Sequence, residues 1–71
     1  PELFEFLRAL RREIALRDHI TPYVVFSDAT LKDMCAVKPK TREDMLLVKG
    51  VGEHKLKKYG QAFLECIQKH V

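Results

Sequence analysis

The sequence predicts a small all-α domain, a bundle of five short helices that contains a helix-hairpin-helix-like turn. Three observations support this: an uninterrupted amphipathic pattern near the start, several residues typical of helix caps, and only one segment that resembles a strand. A chain of 71 residues fits at most one domain. Because 46% of the residues are hydrophobic, we expect a small core with little room for a deep catalytic cleft.

The first helix is predicted over residues 2–17, where apolar side chains recur at helical spacing and neither glycine nor proline interrupts them. Asp18-His19 and Thr21-Pro22 then end the helix, since a residue before proline avoids the α conformation. The side expected to face the core carries Leu3, Phe6, Leu7, Leu10, Ile14 and Arg17.

Residues 22–26, PYVVF, form the one strand-like run, and they raise the question of whether Tyr23 faces the core or a partner. A lone strand would leave backbone donors and acceptors unpaired, because no second strand is evident. We therefore expect a turn or a short 3₁₀ segment in which Val24, Val25 and Phe26 supply core. An exposed Tyr23 would stack on unpaired bases, whereas a packed one would expose only its hydroxyl.

Cap residues place the central helices. Ser27 or Asp28 is expected to cap a helix that ends near residue 36, before the linker at residues 38–40. Residues 41–44, TRED, resemble a capping box with Asp44 in place of the usual Glu or Gln. The inner faces of these two helices are expected to carry Leu31, Met34, Cys35, Met45, Leu46, Leu47 and Val48.

Glycines divide the rest of the chain. Gly50 suits a left-handed cap at the end of the third helix, and a fourth helix is predicted from residue 52 or 53 to residue 59. Gly60 is expected to break or bend this helix. A last helix then carries Phe63, Leu64, Cys66 and Ile67.

The run VKGVGEHKL, residues 48–56, is typical of a helix-hairpin-helix, in which glycines permit a tight turn. The backbone N–H groups of Gly50, Val51 and Gly52 could then meet a phosphate, or the turn could simply join two helices. Glu53 and the bulky Leu56 weaken the phosphate interpretation. The flanking Lys49 and Lys55 favour it.

The charge balance permits a nucleic-acid partner without requiring one. Thirteen Lys and Arg against ten Asp and Glu give a net charge of +3, with both signs mixed along the chain. If the first and fourth helices lie side by side, their basic residues form one face; otherwise they are ordinary solvated surface. The groups in question are Arg8, Arg11 and Arg12, then Lys55, Lys57 and Lys58, then Lys38, Lys40 and Arg42.

Catalytic and metal-binding patterns are missing from the sequence. Its three histidines lack HExxH or Cys/His spacing, and no phosphate-binding loop or nucleophile elbow occurs. We therefore expect a chain that is not an enzyme and has neither metal nor cofactor. Cys35 and Cys66 fit reduced, packed thiols of a cytosolic protein, with a disulfide or a metal site shared with His54 or His70 as the alternative.

No signal peptide or apolar run of membrane length is present in the sequence. The chain begins at Pro1 without an initiator methionine, so we expect it to be a fragment of a larger protein.

Taken together, "LFEFLRALRREIA", "TPYVVFSDATLKDM" and "KPKTREDMLLVKGVGEHKLKKYGQAFLECI" resemble an HRDC domain (helicase and RNase D C-terminal), most closely that of bacterial RecQ DNA helicases. The resemblance covers residues 3–70, and its specificity comes from the PYVVFSD-T-L and GVG-x-x-K blocks together. It implies a non-catalytic five-helix bundle, a C-terminal piece of a cytoplasmic bacterial ATP-dependent 3′–5′ helicase that functions in DNA repair and recombination.

The resemblance also implies a partner, single-stranded or partly duplex DNA, and a role for Tyr23, which matches the aromatic residue of the family's DNA-contacting surface. With it we expect contacts from Arg8, Arg11, Arg12, Lys32, Lys49, Lys55 and Lys58. The domain is expected to be monomeric and to adjoin the helicase core of its parent chain. Two alternatives remain: a protein-interaction module that docks on the parent helicase or another factor, and an RNA-binding domain of an RNase D-like exonuclease.

Overall fold

The computed structural model describes residues 2–71, and within them the chain forms helices joined by turns, without a β-strand. The last three helical segments follow one another with α-helical dihedral angles at Lys55, Gly60 and Gln61, so they form one continuous stretch. Counted in this way there are five helices, the number that the sequence predicts, but residues 22–25 form a helix where a turn or 3₁₀ segment was expected, and the predicted fourth and fifth helices are continuous. The elements are α1 (Glu2–Asp18), α2 (Pro22–Val25), α3 (Asp28–Val37), α4 (Arg42–Met45), and the stretch α5 (Glu53–Lys55), π segment (Leu56–Gly60) and α6 (Gln61–Lys69).

Helix α1 is the centre of the bundle and packs against α2, α3 and α6. Its buried side is narrow and carries Leu7, Ile14 and Ala15. Phe26, which directly follows α2, packs against the C-terminal stretch. Its ring forms edge-to-face pairs with Tyr59 and Phe63, at centroid distances of 6.0 Å and 4.9 Å. The other buried apolar residues are Val25, Leu31, Met34, Met45, Val48, Val51, Leu56, Leu64 and Ile67.

The two predicted helix caps are confirmed. Ser27 Oγ accepts a hydrogen bond from the Thr30 N–H at 3.2 Å, and Thr41 Oγ1 accepts one from the Asp44 N–H at 3.0 Å. Asp44 Oδ2 in turn accepts from the Lys40 N–H at 3.1 Å, one residue earlier than in a standard capping box.

Helix α2 differs from its prediction in two ways. It is a single α-helical turn rather than a 3₁₀ segment, and Pro22 occupies the first position, where its missing N–H costs nothing. Val24 is 52% exposed instead of filling the core, since a four-residue turn anchored by Val25 and Phe26 has no second buried side.

The inner face of α1 was also predicted too broadly. Phe6 is 43% exposed and Arg17 is exposed, because the buried side centres on Leu7 and Ile14. Phe6 instead stacks on the ring of His70, with centroids 3.6 Å apart and planes 10° from parallel.

Two features near the C-terminal stretch correct the sequence prediction. Helix α4, which corresponds to the third predicted helix, ends at Met45. Leu46 and Leu47 follow it in turns and are exposed. Gly60 does not end a helix; it is buried inside the π segment, where a β-carbon would collide with the side chain of Leu56. A glycine there lets Leu56 pack against the helix backbone.

The hairpin turn rests on α3. Gly50 has φ +88°, the left-handed conformation that the sequence predicts, and Val51 is buried behind it. Asp33 Oδ2 accepts a hydrogen bond from the Lys49 N–H at 2.7 Å, and a β-carbon on Gly50 would collide with Thr30 Oγ1. The turn is therefore fixed both by its dihedral angle and by contact with α3.

Replacement of Gly50 by alanine should destabilise the domain, because the new methyl group meets Thr30 and the residue must keep a positive φ. We expect a loss of about 2 kcal/mol, and a melting temperature lower by roughly 10 °C in a domain of this size. Gly52→Ala is the matched control, since φ there is −102° and no atom lies within 4 Å of the added carbon. Equal melting temperatures for the two variants, measured by circular dichroism, would contradict this account.

Candidate nucleic-acid interface

The ring of Tyr23 is presented to solvent by α2. It is 73% exposed, and its neighbour Val24 is half-exposed. The buried Val25 and Phe26 hold the other side of this single turn against α1 and the C-terminal stretch. The structure therefore leaves the ring face accessible, which is the condition for stacking on a base.

Arg11 ties α1 to the join between α2 and α3. Its Nη1 donates to the Phe26 carbonyl oxygen at 3.0 Å, and its Nη2 lies 2.8 Å from Asp28 Oδ1. The Arg11 side chain is only 11% exposed. Of the arginines predicted to meet DNA, this one is mainly committed to the fold, although it also lines the cavity next to Tyr23.

Lys55 contacts α2, and Lys58 lies three residues further along, in the π segment. Lys55 Nζ donates to the Val24 carbonyl oxygen at 2.7 Å and lies 5.7 Å from the centroid of the Phe26 ring. Lys58 lines a cleft of about 270 Å³ between α1 and the π segment, together with Arg17 and the buried Tyr59. These two lysines are called the lysine flank below.

Arg8 and Arg12 are exposed on α1. Residues 8, 11 and 12 lie on neighbouring positions of the helix surface, and Arg11 faces the start of α3, so Arg8 and Arg12 border the same side. Arg8 also pairs with the exposed Glu5 at 3.3 Å. Arg8, Arg11 and Arg12 are called the arginine flank; Arg11 contacts the residue after α2, and Lys55 of the lysine flank contacts Val24 within it.

The remaining predicted contacts are dispersed. Lys32 is exposed on α3, one helical turn after Asp28, and Lys49 is exposed at the hairpin. The Val51 N–H is already bonded to the Val48 carbonyl oxygen at 3.1 Å, so it is not free for a phosphate. Contact of Gly50 or Gly52 with a phosphate stays a prediction.

The titratable groups around this surface are mostly solvated. The hydrogen bond from Arg17 lowers the pKa of Asp18, and the nearby charges of Arg17 and Lys58 act in the same direction. Both cysteines are free thiols, and burial raises the pKa of each, which suits packed and unreactive side chains.

Residues 2–71 contain neither a cluster of three or more metal-ligating side chains nor a helix long and apolar enough to span a membrane.

Comparison with known proteins identifies the family. The family model described as the HRDC domain matches residues 1–67. This chain belongs to the HRDC domain family. Its fold is similar to "D. radiodurans RecQ HRDC domain 3", with a TM-score of 0.90 and 37% identity over 94% of this chain and 88% of that one.

Curated relatives of this HRDC domain include two bacterial proteins named ATP-dependent DNA helicase RecQ. The chain is 52% identical over 67 residues to the one from Bacillus subtilis, and 46% identical over 69 residues to the one from Haemophilus influenzae. These alignments cover 94% and 97% of this chain but 11% of each relative. The chain therefore spans about a tenth of the length of these relatives.

Sequence reasoning missed two features of this surface of the HRDC domain. Asp28 was interpreted only as a cap candidate, yet it lies beside Tyr23 in one cavity. Val24 was assigned to the core, yet it extends the exposed surface of α2 and its carbonyl oxygen holds Lys55. The acid one residue after the serine cap was visible in the sequence, but only the fold brings it to the tyrosine.

Arg11→Ala should lower stability more than any change at the other two arginines of this flank. Loss of the guanidinium leaves the Phe26 carbonyl without its donor, at a cost of about 2 kcal/mol. Arg12→Ala, at an exposed position of the same helix, should stay within about 0.5 kcal/mol of the parent chain. Urea unfolding of both variants measures this, and similar midpoints would show that the Arg11 contacts do not stabilise the fold.

Proposed function

We propose that this HRDC domain is a non-catalytic accessory domain of a RecQ-type ATP-dependent DNA helicase, and that it binds single-stranded or partly unwound DNA. The observation that carries the proposal is Tyr23, an exposed ring on a firmly anchored helical turn with basic side chains on both flanks. The similarity to RecQ helicases over nearly the whole chain supports the parent assignment.

Two interactions contribute to DNA binding at this surface: base stacking on Tyr23 and attraction between basic side chains and phosphates. A base stacked on Tyr23 gains about 1–3 kcal/mol with little regard to sequence. Arg12 and Lys58 both have exposed side chains, so each is available to the phosphates of a strand that binds at the tyrosine. Lys55 already donates one hydrogen bond to the Val24 carbonyl oxygen, so it contributes to DNA binding mainly through its positive charge.

A second candidate function is docking on the helicase core or on another protein. It is favoured by Leu46 and Leu47, which are 39% and 72% exposed at the turn before the hairpin. An RNA ligand, as in the RNase D branch, would be indicated if unlabelled RNA displaced labelled single-stranded DNA from the domain more strongly than unlabelled DNA of the same sequence does.

Tyr23→Ala should reduce affinity for single-stranded DNA by tenfold or more, since it removes about 1–3 kcal/mol of stacking. Tyr23→Phe should retain most of the affinity because it keeps the ring. Fluorescence anisotropy with a labelled oligonucleotide measures both, and unchanged melting temperatures show that each variant is folded. If Tyr23→Ala binds as well as the parent chain while Leu47→Ala weakens association with the helicase core, the docking function replaces this one.

Binding should weaken steeply as salt rises, because contacts with phosphates release bound cations. Two to three phosphate contacts predict a slope of about −2 in log K against log salt concentration for a single strand. Arg12→Ala and Lys58→Ala should each make this slope shallower by about 0.7. Lys69→Ala, on the distant end of α6, should leave it unchanged. A flat dependence on salt, or an equal effect at Lys69, would reject the proposed surface.

A further inference from the structure

We propose that Asp28 selects among the bases that stack on Tyr23, and that it favours bases with an exocyclic amino group over thymine. This inference rests on the proposed function and adds to it a preference that stacking alone does not give. It follows from what surrounds the exposed face of the tyrosine.

Tyr23, Arg11 and Asp28 line one open cavity of about 440 Å³. Asp28 is the first residue of α3, and its side chain is 65% exposed at the cavity. Nη2 of Arg11 holds Oδ1 of this carboxylate at 2.8 Å. Among the residues that the structure describes, no donor is paired with Oδ2, so this oxygen is available to a ligand.

Arg11 also reduces the repulsion between the Asp28 carboxylate and the phosphates of a bound DNA strand. A lone carboxylate beside the tyrosine would repel phosphates, but the guanidinium neutralises it at contact distance. Because the same guanidinium donates to the Phe26 carbonyl oxygen, the carboxylate is held in place by the fold rather than by solvent. The pair therefore offers a fixed hydrogen-bond acceptor with almost no net charge.

The Ser27 and Thr21 hydroxyls that line the cavity do not discriminate between bases. The Ser27 hydroxyl is engaged with the Thr30 N–H and the Thr30 hydroxyl, as the cap of α3. The Thr21 hydroxyl can either donate or accept, so it suits any base. Asp28 alone accepts without donating when ionised.

An acceptor at this place favours some base edges over others. Cytosine, adenine and guanine carry amino groups whose N–H donors suit a carboxylate oxygen. Thymine has one N–H on its pairing edge, and the two carbonyl oxygens beside it repel a carboxylate. A base stacked on Tyr23 with its edge toward Asp28 is therefore held more tightly when it is cytosine, adenine or guanine than when it is thymine.

The test compares oligocytidylate and oligothymidylate DNA of equal length at neutral pH, by anisotropy with the parent chain and Asp28→Asn. Asparagine both donates and accepts, so it removes the discrimination while it keeps the size of the side chain. Because the two strands differ in their own stacking, the decisive quantity is the change in their affinity ratio. We expect Asp28→Asn to lower the cytidine-to-thymidine ratio by about fivefold, the effect of one hydrogen bond.

Glu43→Gln is the matched control, since it removes one exposed acid from α4 and should leave the ratio unchanged. Asp28→Ser must lower the ratio as well, and each variant is measured well below its melting temperature, so that partial unfolding does not enter. An unchanged ratio in Asp28→Asn overturns the inference while the proposed function stands. Failure of the parent chain to bind either strand overturns the proposed function itself.

Discussion

The guanidinium of Arg11 holds the join on which the candidate interface depends. Phe26 and Ser27 both have extended backbones between α2 and α3, so the Phe26 carbonyl has no helical partner. Phe26 is buried, so water cannot supply a donor freely. The Arg11 guanidinium, on α1, donates the missing hydrogen bond to the Phe26 carbonyl oxygen and also forms an ion pair with Asp28. This contact, together with the burial of Val25 and Phe26, holds Tyr23 and Asp28 on either side of the join.

Local signals carried the fold prediction well. The serine and threonine caps depend on residues close in the sequence, and both occur where the sequence predicts them; the positive φ of Gly50 was also predicted. Periodicity was less decisive over short distances. Five residues of PYVVF cannot reveal which side of a single turn is buried, and so Val24 was assigned to the core. Phe6, at the edge of the apolar side of α1, was misplaced because its contact with His70 joins the two ends of the chain.

The errors at the site have the same origin in distant contacts. Arg11 meets a carbonyl oxygen 15 residues away and Lys55 meets one 31 residues away, and a backbone acceptor has no signature in the sequence. Gly60 was misinterpreted for a related reason. Glycine usually interrupts helices, but here the helix continues through Gly60, and the missing side chain leaves space for Leu56. Composition could show that arginines and lysines were available, but only packing decided which of them support the fold and which face outward.

The size of the proposed interface fits a domain that works as part of a longer chain. One stacked base and two or three phosphate contacts give modest affinity, and salt weakens it further. When such a domain is tethered to a helicase that already holds DNA, its own contact becomes intramolecular, at an effective concentration that reaches millimolar for a short linker. Under that condition a weak contact is occupied most of the time and still releases quickly. A tyrosine on a turn anchored by Val25 and Phe26 suits this role, because the backbone that carries the ring need not be ordered each time a base stacks on it.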